Sequence, residues 1–204
     1  MPLQNRVTPE GEICFSTSRG TLMGNRGCLH NEAKTVMHRS KRDAWVTCML
    51  DFKNRKRSLM SPGQYTELFF LDEATALAAG HRPCAECRRA RYSEFLYAWG
   101  AANCPGETVK ASDMDARLKR ERTAESRVQV ADLKGLPDGV MVMQIESGVS
   151  YVIYLGRARA WSFEGYGAPT PLDALCGPYI VLTPSSTVSA LKHGYRPELH
   201  PTAL

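Results

Sequence analysis

Apolar and polar positions alternate along the first quarter of the chain in a way that predicts β structure. From Val46 onward every second residue of the segment 44–52 is apolar, which predicts a strand with Cys48 on its inward face. The wider segment 12–52 has the same β character, with glycines at its turns. The apolar run at 68–71 predicts a further strand.

Helical signals follow this β segment. Asp72 is suited to cap a short helix over residues 73–79, and Gly80 ends it because glycine readily adopts the left-handed C′ position. A second helix is expected from Arg88, with an apolar stripe at i, i+3, i+4 and i+7. A third, highly charged helix over residues 112–128 is predicted to be a solvent-facing spacer.

Beyond residue 135 the pattern changes to short strands. Strands are expected at 140–145, at 151–155 and near 179–182, followed by a helix over 185–193. The whole pattern predicts an α+β fold with three parts. These parts are an N-terminal domain over residues 1–102, a helical linker over 103–134 and a small β-rich C-terminal unit over 135–204.

Composition is that of an ordinary globular protein, with 43% hydrophobic and 23% charged residues among 204. No stretch of about 18 apolar residues is present, and residues 1–6 lack the apolar segment of a secretion signal. We therefore expect a cytoplasmic protein with no membrane partner. Seven cysteines in such a protein should be mostly reduced, so their spacing indicates metal binding or packing rather than disulfides.

Positive charge is concentrated in one part of the chain. Residues 34–57 contain eight Lys or Arg against two Asp, a local excess of six, whereas the net charge of the whole chain is +5. Such a block favours contact with the phosphate backbone of nucleic acid, which gives affinity and salt dependence without sequence readout. A solvated basic surface without a ligand is the alternative.

The sequence Cys84-Ala85-Glu86-Cys87 carries the strongest chemical signal. A proline precedes it and a predicted helix follows it, and this tight turn aims two thiolates at one tetrahedral zinc ion. A redox-active CxxC is the alternative, but it usually opens a helix within a βαβ unit. Two ligands do not hold structural zinc, so others must come from elsewhere in the chain.

Two residues are the preferred additional ligands. Cys48 ranks first, because it lies on the predicted strand just before the basic turn at residues 53–57, although cysteine on an apolar face is often a simple core residue. The glycine-rich segment 24–30 offers His30 or Cys28, of which we prefer His30. His30 could equally be a general base. The predicted zinc ligands are Cys84, Cys87, Cys48 and His30.

Residues 69–88, with an aromatic pair, an alanine-rich helix and Gly-His-Arg-Pro-Cys-x-x-Cys, resemble the metal-binding domain of the Ada family of DNA alkylation-repair proteins. In that family four cysteines bind zinc, and one of them accepts a methyl group from a DNA phosphotriester. The resemblance implies that Cys84 and Cys87 are the second pair of ligands and that Arg82 and Arg88 lie near DNA.

The chain departs from the family pattern at two positions. The family's first pair is spaced Cys-x-x-x-Cys, whereas here Cys48 is followed four residues later by Phe52. His81 also stands where the family has an aromatic residue. This chain can therefore share the zinc-binding scaffold of the family without sharing its methyl-transfer activity.

These observations predict a zinc-containing DNA-binding protein, with a DNA-processing or repair enzyme, a nuclease or lesion-acting hydrolase, as the preferred class. A non-catalytic zinc module that binds DNA and an Ada-like methyl acceptor are the alternatives. The predicted contacts to DNA are Lys53, Arg55, Lys56, Arg57, Arg82, Arg88, Arg89 and Arg91. The candidate catalytic residues are His30, Arg26, Glu67, Asp113 and Asp115.

Overall fold

The computed structural model describes residues 1–54 and 58–204, and these residues form two sheets with helices between and beside them. The α+β fold expected from the sequence is confirmed. Every helix among the described residues is too short or too polar to cross a membrane.

The first sheet is built from residues 4–83, the N-terminal two fifths of the chain. Its strand order is β2-β1-β5-β3-β4-β6, with β5 parallel to β1 and β6 parallel to β4. The strands are β1 (Gln4–Val7), β2 (Ile13–Phe15), β3 (Leu22–Asn25), β4 (Val46–Cys48), β5 (Leu68–Phe70) and β6 (Arg82–Pro83).

The second sheet comes from the C-terminal part and is antiparallel. Its order is β11-β10-β9-β8-β13-β7, and β12 pairs with β10. The strands are β7 (Gln129–Val130), β8 (Met141–Gln144), β9 (Ser150–Tyr154), β10 (Arg157–Ser162), β11 (Gly165–Tyr166), β12 (Thr170–Pro171) and β13 (Tyr179–Val181).

Helix α1 (Glu73–Ala78) packs against both sheets, and all six of its residues are buried. Ala76 packs in a cluster with residues of the first sheet, whereas Ala74 and Ala78 pack with residues of the second. Small side chains let a helix approach neighbours on two sides, which explains the alanine-rich sequence. Asp72 accepts a hydrogen bond from the Thr75 N–H at 2.9 Å, as expected for the N-cap.

Three further helices cover the second sheet. They are α2 (Arg89–Asn103), α3 (Ala111–Glu121) and α4 (Ser185–Lys192). Helix α3 is shorter than the predicted 112–128 and is not a solvent-facing spacer, because Met114 and Leu118 are both fully buried and Met114 belongs to a large hydrophobic cluster. These two residues at i and i+4 form an apolar stripe on an otherwise charged helix.

One hydrophobic cluster draws residues from all three predicted parts of the chain. Phe95 precedes residue 103, Met114 and Leu133 lie in the predicted linker, and Val142 and Tyr195 lie beyond residue 135. The division into 1–102, 103–134 and 135–204 stays a prediction about independent folding. The hydrophobic packing is continuous across the boundaries between these three parts.

Candidate metal centre

Alternation along the strands decides which side chains of the first sheet point into the interior and which point outward. In β3, β4 and β5 the residues Leu22, Thr47 and Phe70 point into the interior, and their neighbours point the other way. The register places Met23 between Cys48 on one side and Phe69 on the other. Cys48 is therefore half-buried on the outward face, whereas the sequence pattern predicted an inward one. The strand ends at Cys48, so the apolar alternation beyond it is not strand.

The turn over residues 84–87, called the knuckle below, is held beside Cys48 by β6. Strand β6 runs parallel to β4, and the Cys84 N–H donates to the Thr47 carbonyl at 2.9 Å, which extends the ladder by one residue. The Glu86 N–H lies 3.4 Å from the Cys84 sulfur, and the Arg88 N–H donates to the Cys84 carbonyl at 3.1 Å. The turn is thus closed by its own backbone before α2 begins.

Cys48, Cys84 and Cys87 form one cluster, in which all three sulfur atoms lie within 4.8 Å of one another. Three sulfurs bound to one tetrahedral zinc ion at about 2.3 Å would be about 3.8 Å apart. The observed separation needs only small rotations of the side chains to reach that geometry. The three residues therefore fit a metal ion, and the predicted grouping of Cys48 with the knuckle is confirmed.

The electrostatics of the cluster favour one thiolate among its three sulfurs. A hydrogen bond from the Cys48 thiol, with backbone N–H groups of Cys87 and Glu86, lowers the pKa of Cys84 to about 5. The hydrogen bond to Cys84, followed by burial, raises the pKa of Cys48. Burial raises the pKa of Cys87. A bound cation would compensate the charge of all three thiolates.

His30 lies apart from this cluster. Its Nδ1 is 2.6 Å from the Thr66 hydroxyl and its Nε2 is 3.2 Å from the Ser61 carbonyl, and the ring is buried. The alternative ligand, Cys28, has its sulfur 3.8 Å from the His30 carbonyl. Backbone hydrogen bonds tie segment 24–30 to Thr66, so the structure keeps both candidates for the fourth ligand away from the knuckle.

A pocket of about 570 Å³ opens over the three cysteines. One wall is the outward face of the sheet, where Met23 lies beside Cys48 and Phe69 lies on the far side of Met23. Asn25 ends β3, and Glu67 directly precedes β5. Further lining residues described by the structure are Arg42, Ala44, Val46, Met49, Leu50, Phe52, Leu59, Tyr65, Arg82, Ala85 and Glu86. The three cysteines thus face a space large enough for a small molecule.

Of the predicted catalytic residues, Glu67 is the one that lines this pocket among the described residues. Its carboxylate is buried and accepts a hydrogen bond from the Met60 N–H at 2.9 Å. Period-two alternation through residues 67–70 could have placed Glu67 and Phe69 on one face. The same logic at 22–25 identifies Asn25, which the sequence reasoning missed.

Arg26 lies on the opposite side of the sheet, fully buried. Its guanidinium stacks 3.9 Å from the ring centre of Trp45, whose ring also has the Arg122 guanidinium at 4.2 Å. Arg26 donates to the Gly11 carbonyl at 3.0 Å and to His81 Nε2 at 3.2 Å. Burial, then the charges of Arg39 and Arg122, lower the pKa of Arg26. These contacts make Arg26 part of the packing behind the sheet.

The two predicted acids of α3 have structural partners. Asp115 is buried and forms a two-pronged ion pair with Arg82, with both N–O distances 2.8 Å. Asp113 is exposed and accepts the Lys110 N–H at 2.9 Å, which caps the start of the helix. The structure therefore places neither acid in the metal pocket.

The predicted DNA contacts divide by exposure. Arg82 and Arg88 are buried, and Arg88 binds the Glu73 carboxylate at 2.9 Å and Glu198 at 2.7 Å. Arg91 also binds Glu73 at 2.9 Å. Lys53 and Arg89 are exposed, while Arg55, Lys56 and Arg57 lie outside the described residues. Spacing around the knuckle could not reveal this division, because the acidic partners are distant in sequence.

Comparison with protein-family models, with curated proteins and with solved structures finds no match to this chain. Cys48, Cys84 and Cys87 form a candidate metal centre on the outward face of a mixed sheet.

Proposed function

We propose that this protein is a zinc-containing DNA-binding protein of the cytosol. The observation that carries the proposal is the convergence of Cys48 with Cys84 and Cys87, which are brought together from two parallel strands. Three thiolates select zinc over harder divalent ions such as magnesium, because zinc is the softer ion. The resemblance of residues 69–88 to the Ada family supports the same assignment.

DNA is the proposed partner because exposed basic residues border the metal pocket. Arg42 lines the pocket, and the exposed Lys53 follows its lining residue Phe52 directly. Arg89 lines a neighbouring cleft together with Cys87. Contacts of this kind bind phosphates and release counterions. Arg82, Arg88 and Arg91 serve this proposal indirectly, by fixing the knuckle to its surroundings.

Binding has more support than hydrolysis in this proposal. The candidate catalytic residues Arg26, His30, Asp113 and Asp115 are engaged in packing, hydrogen bonding, capping and ion pairing. Glu67 is the acid that shares the pocket with the cysteines. A DNA-processing enzyme would therefore have to use the metal and Glu67, rather than the set predicted from sequence.

Fluorescence anisotropy with a labelled DNA duplex tests the DNA proposal. Binding should weaken steeply between about 50 and 200 mM salt, and Lys53→Ala and Arg89→Ala should each lower the salt slope by about 1. Lys192→Ala, an exposed lysine on α4, is the matched control and should leave the slope unchanged. DNA affinity that does not change with salt, or an equal decrease of the salt slope in all three variants, would reject this surface as the DNA-binding site.

A methyl acceptor is a second candidate, favoured by the position of Cys48 on the pocket face. In this reaction Cys48 attacks as the thiolate after its proton has passed to solvent: a phosphotriester O–C bond breaks, a bond forms between that methyl carbon and the Cys48 sulfur, and the DNA diester leaves as an anion. DNA carrying a radiolabelled methylphosphotriester tests it. Label should appear on the peptide that contains Cys48, and its complete absence from the protein would remove this candidate.

A further inference from the structure

We propose that the fourth coordination position of the metal is open to a ligand from outside the chain, and that this ligand is a neutral nitrogen donor of a heteroaromatic ring. The inference rests on the proposed zinc function. It goes further in assigning the cluster to the class of sites that keep an exchangeable position. Such sites use three protein ligands, whereas structural zinc sites are closed by four.

The first observation is the number of ligands that the chain supplies. Among the described residues, the cluster with metal-ligand spacing contains three residues, Cys48, Cys84 and Cys87. His30 is engaged by Thr66 and Ser61 on a different segment. The run 55–57 is Arg-Lys-Arg, which contains none of the usual zinc-ligating residue types.

The second observation is what lies in front of the sulfurs. All three cysteines line the same pocket of about 570 Å³, which exceeds what a single water molecule occupies. A closed structural site would have protein packed at this point. A fourth coordination position that faces a pocket of this size can be reached by a small molecule.

The lining of the pocket indicates the class of ligand. Phe69 and Tyr65 contribute aromatic rings, with the Arg6 guanidinium over the Phe69 ring at 4.9 Å, while Met23 offers a polarisable thioether and Asn25 an amide group. Planar rings pack well against such surfaces, and ring nitrogen is a standard zinc ligand.

Charge favours a neutral donor over an anion. Three thiolates and one divalent ion already carry a net charge of −1, so an added anion would meet repulsion at the metal. Two arginines line the pocket: Arg82 is engaged by Asp115 at 2.8 Å and Arg42 is exposed to solvent, while Glu67 and Glu86 add acidic groups to the same lining. A neutral ring nitrogen adds no charge.

The test uses the full chain loaded with Co²⁺, whose visible absorption reports the ligands of the metal, and imidazole as the probe. Imidazole should shift the visible bands saturably while the sulfur-to-cobalt charge-transfer band keeps the intensity of three thiolates. 2-Mercaptoethanol and inorganic phosphate are the comparison ligands. Leu155→Ala, an exposed residue outside the pocket lining, is the control variant and should respond as the wild type does.

The variant Phe52→Cys is designed to fill the fourth coordination position with a thiolate from the chain itself. Phe52 lines the same pocket as the three cysteines, so we expect a thiol introduced there to be able to reach the metal. The charge-transfer intensity should rise by about one third, in proportion to the number of Co–S bonds, and the imidazole response should disappear. If the intensity rises and the imidazole response persists, imidazole does not act at the fourth position and the inference is overturned.

The remaining outcomes separate this inference from the proposed function. If the wild-type chain fails to bind Co²⁺ and Zn²⁺, the metal function itself is rejected. If the metal binds and the spectrum is unchanged by every probe, the metal function stands and the open position is rejected. A response to the thiol or to phosphate but not to imidazole rejects the nitrogen-donor class.

Discussion

At the scale of single residues, the partners of a side chain decide its role more than its type does. Seven cysteines are present, but only three of the described ones form a cluster with metal-ligand spacing. Arg82 and Arg89 both flank the knuckle, yet Arg82 is buried against Asp115 whereas Arg89 is exposed. Substitutions at these two arginines should therefore have different consequences.

We predict that Arg82→Met destabilises the protein by about 3–5 kcal/mol, because it leaves the buried Asp115 carboxylate without its cation. Arg89→Ala should change the free energy of unfolding by no more than about 0.5 kcal/mol. Urea denaturation of both variants measures the difference. Equal effects would show that the Arg82–Asp115 pair does not contribute as its burial indicates.

Glu73 is a buried carboxylate whose ionisation makes the stability of the fold depend on pH. Burial alone would raise its pKa, but Arg88 and Arg91 outweigh burial and hold the pKa below its ordinary value of 4.5. A lowered pKa in the folded state means that ionised Glu73 stabilises the fold above pH 4.5. This contribution is lost as the pH falls through the lowered value.

We therefore predict that Glu73→Gln costs about 3–5 kcal/mol at neutral pH and that this cost shrinks as the pH falls below 4.5. Guanidinium titrations at several pH values measure the gap between the two proteins, in which other titrating groups largely cancel. Glu146→Gln, at an exposed position, is the control. A gap that is constant with pH would contradict the account of Glu73.

At the scale of elements, α1 is the piece that both sheets share. Its residues are all buried, and the chain's last segment also binds it, since the Glu198 N–H donates to Glu73 at 2.9 Å and the His200 N–H donates to Asp72 at 3.0 Å. The helix that leads into the knuckle is therefore positioned by distant parts of the chain.

Close packing on both sides of α1 predicts intolerance of larger side chains. Ala76→Leu should destabilise the protein by about 1–3 kcal/mol through overpacking. Ala101→Leu, at an exposed position of α2, should stay within about 0.5 kcal/mol. Thermal or urea unfolding compares them, and a tolerated Ala76→Leu would show that α1 is packed less tightly than its burial indicates.

Local signals in the sequence were sufficient for some elements but not for others. The cap at Asp72, the stop at Gly80 and the knuckle follow from residues within a few positions, so they could be predicted. The partner of His30, the outward direction of Cys48 and the burial of α3 depend on contacts that are long-range in sequence. Alternation within a strand identifies two faces but cannot say which face is covered.

At the scale of the whole molecule, the main hydrophobic cluster joins segments that the sequence pattern separates. Leu77, Leu133 and Tyr195 belong to one buried cluster, although they come from three different predicted parts. A core that is continuous in this way favours a single cooperative unit. It also means that stability does not depend on the metal alone.

Differential scanning calorimetry of the full chain tests this expectation. We predict one transition whose calorimetric and van't Hoff enthalpies agree. Removal of the metal by a chelator should lower the transition temperature without splitting the transition, because the main cluster contains none of the three cysteines. Two resolved transitions in the metal-loaded protein would instead support separate folding of the predicted parts.

The central proposal is that Cys48, Cys84 and Cys87 hold one zinc ion, and metal analysis of the purified full chain tests it most directly. We predict close to one zinc per chain in the wild type and in Cys28→Ser, whose sulfur lies outside the cluster. Cys48→Ser and Cys84→Ser should lose most of the metal. Zinc content near zero in the wild type, or full retention in Cys84→Ser, would contradict the account.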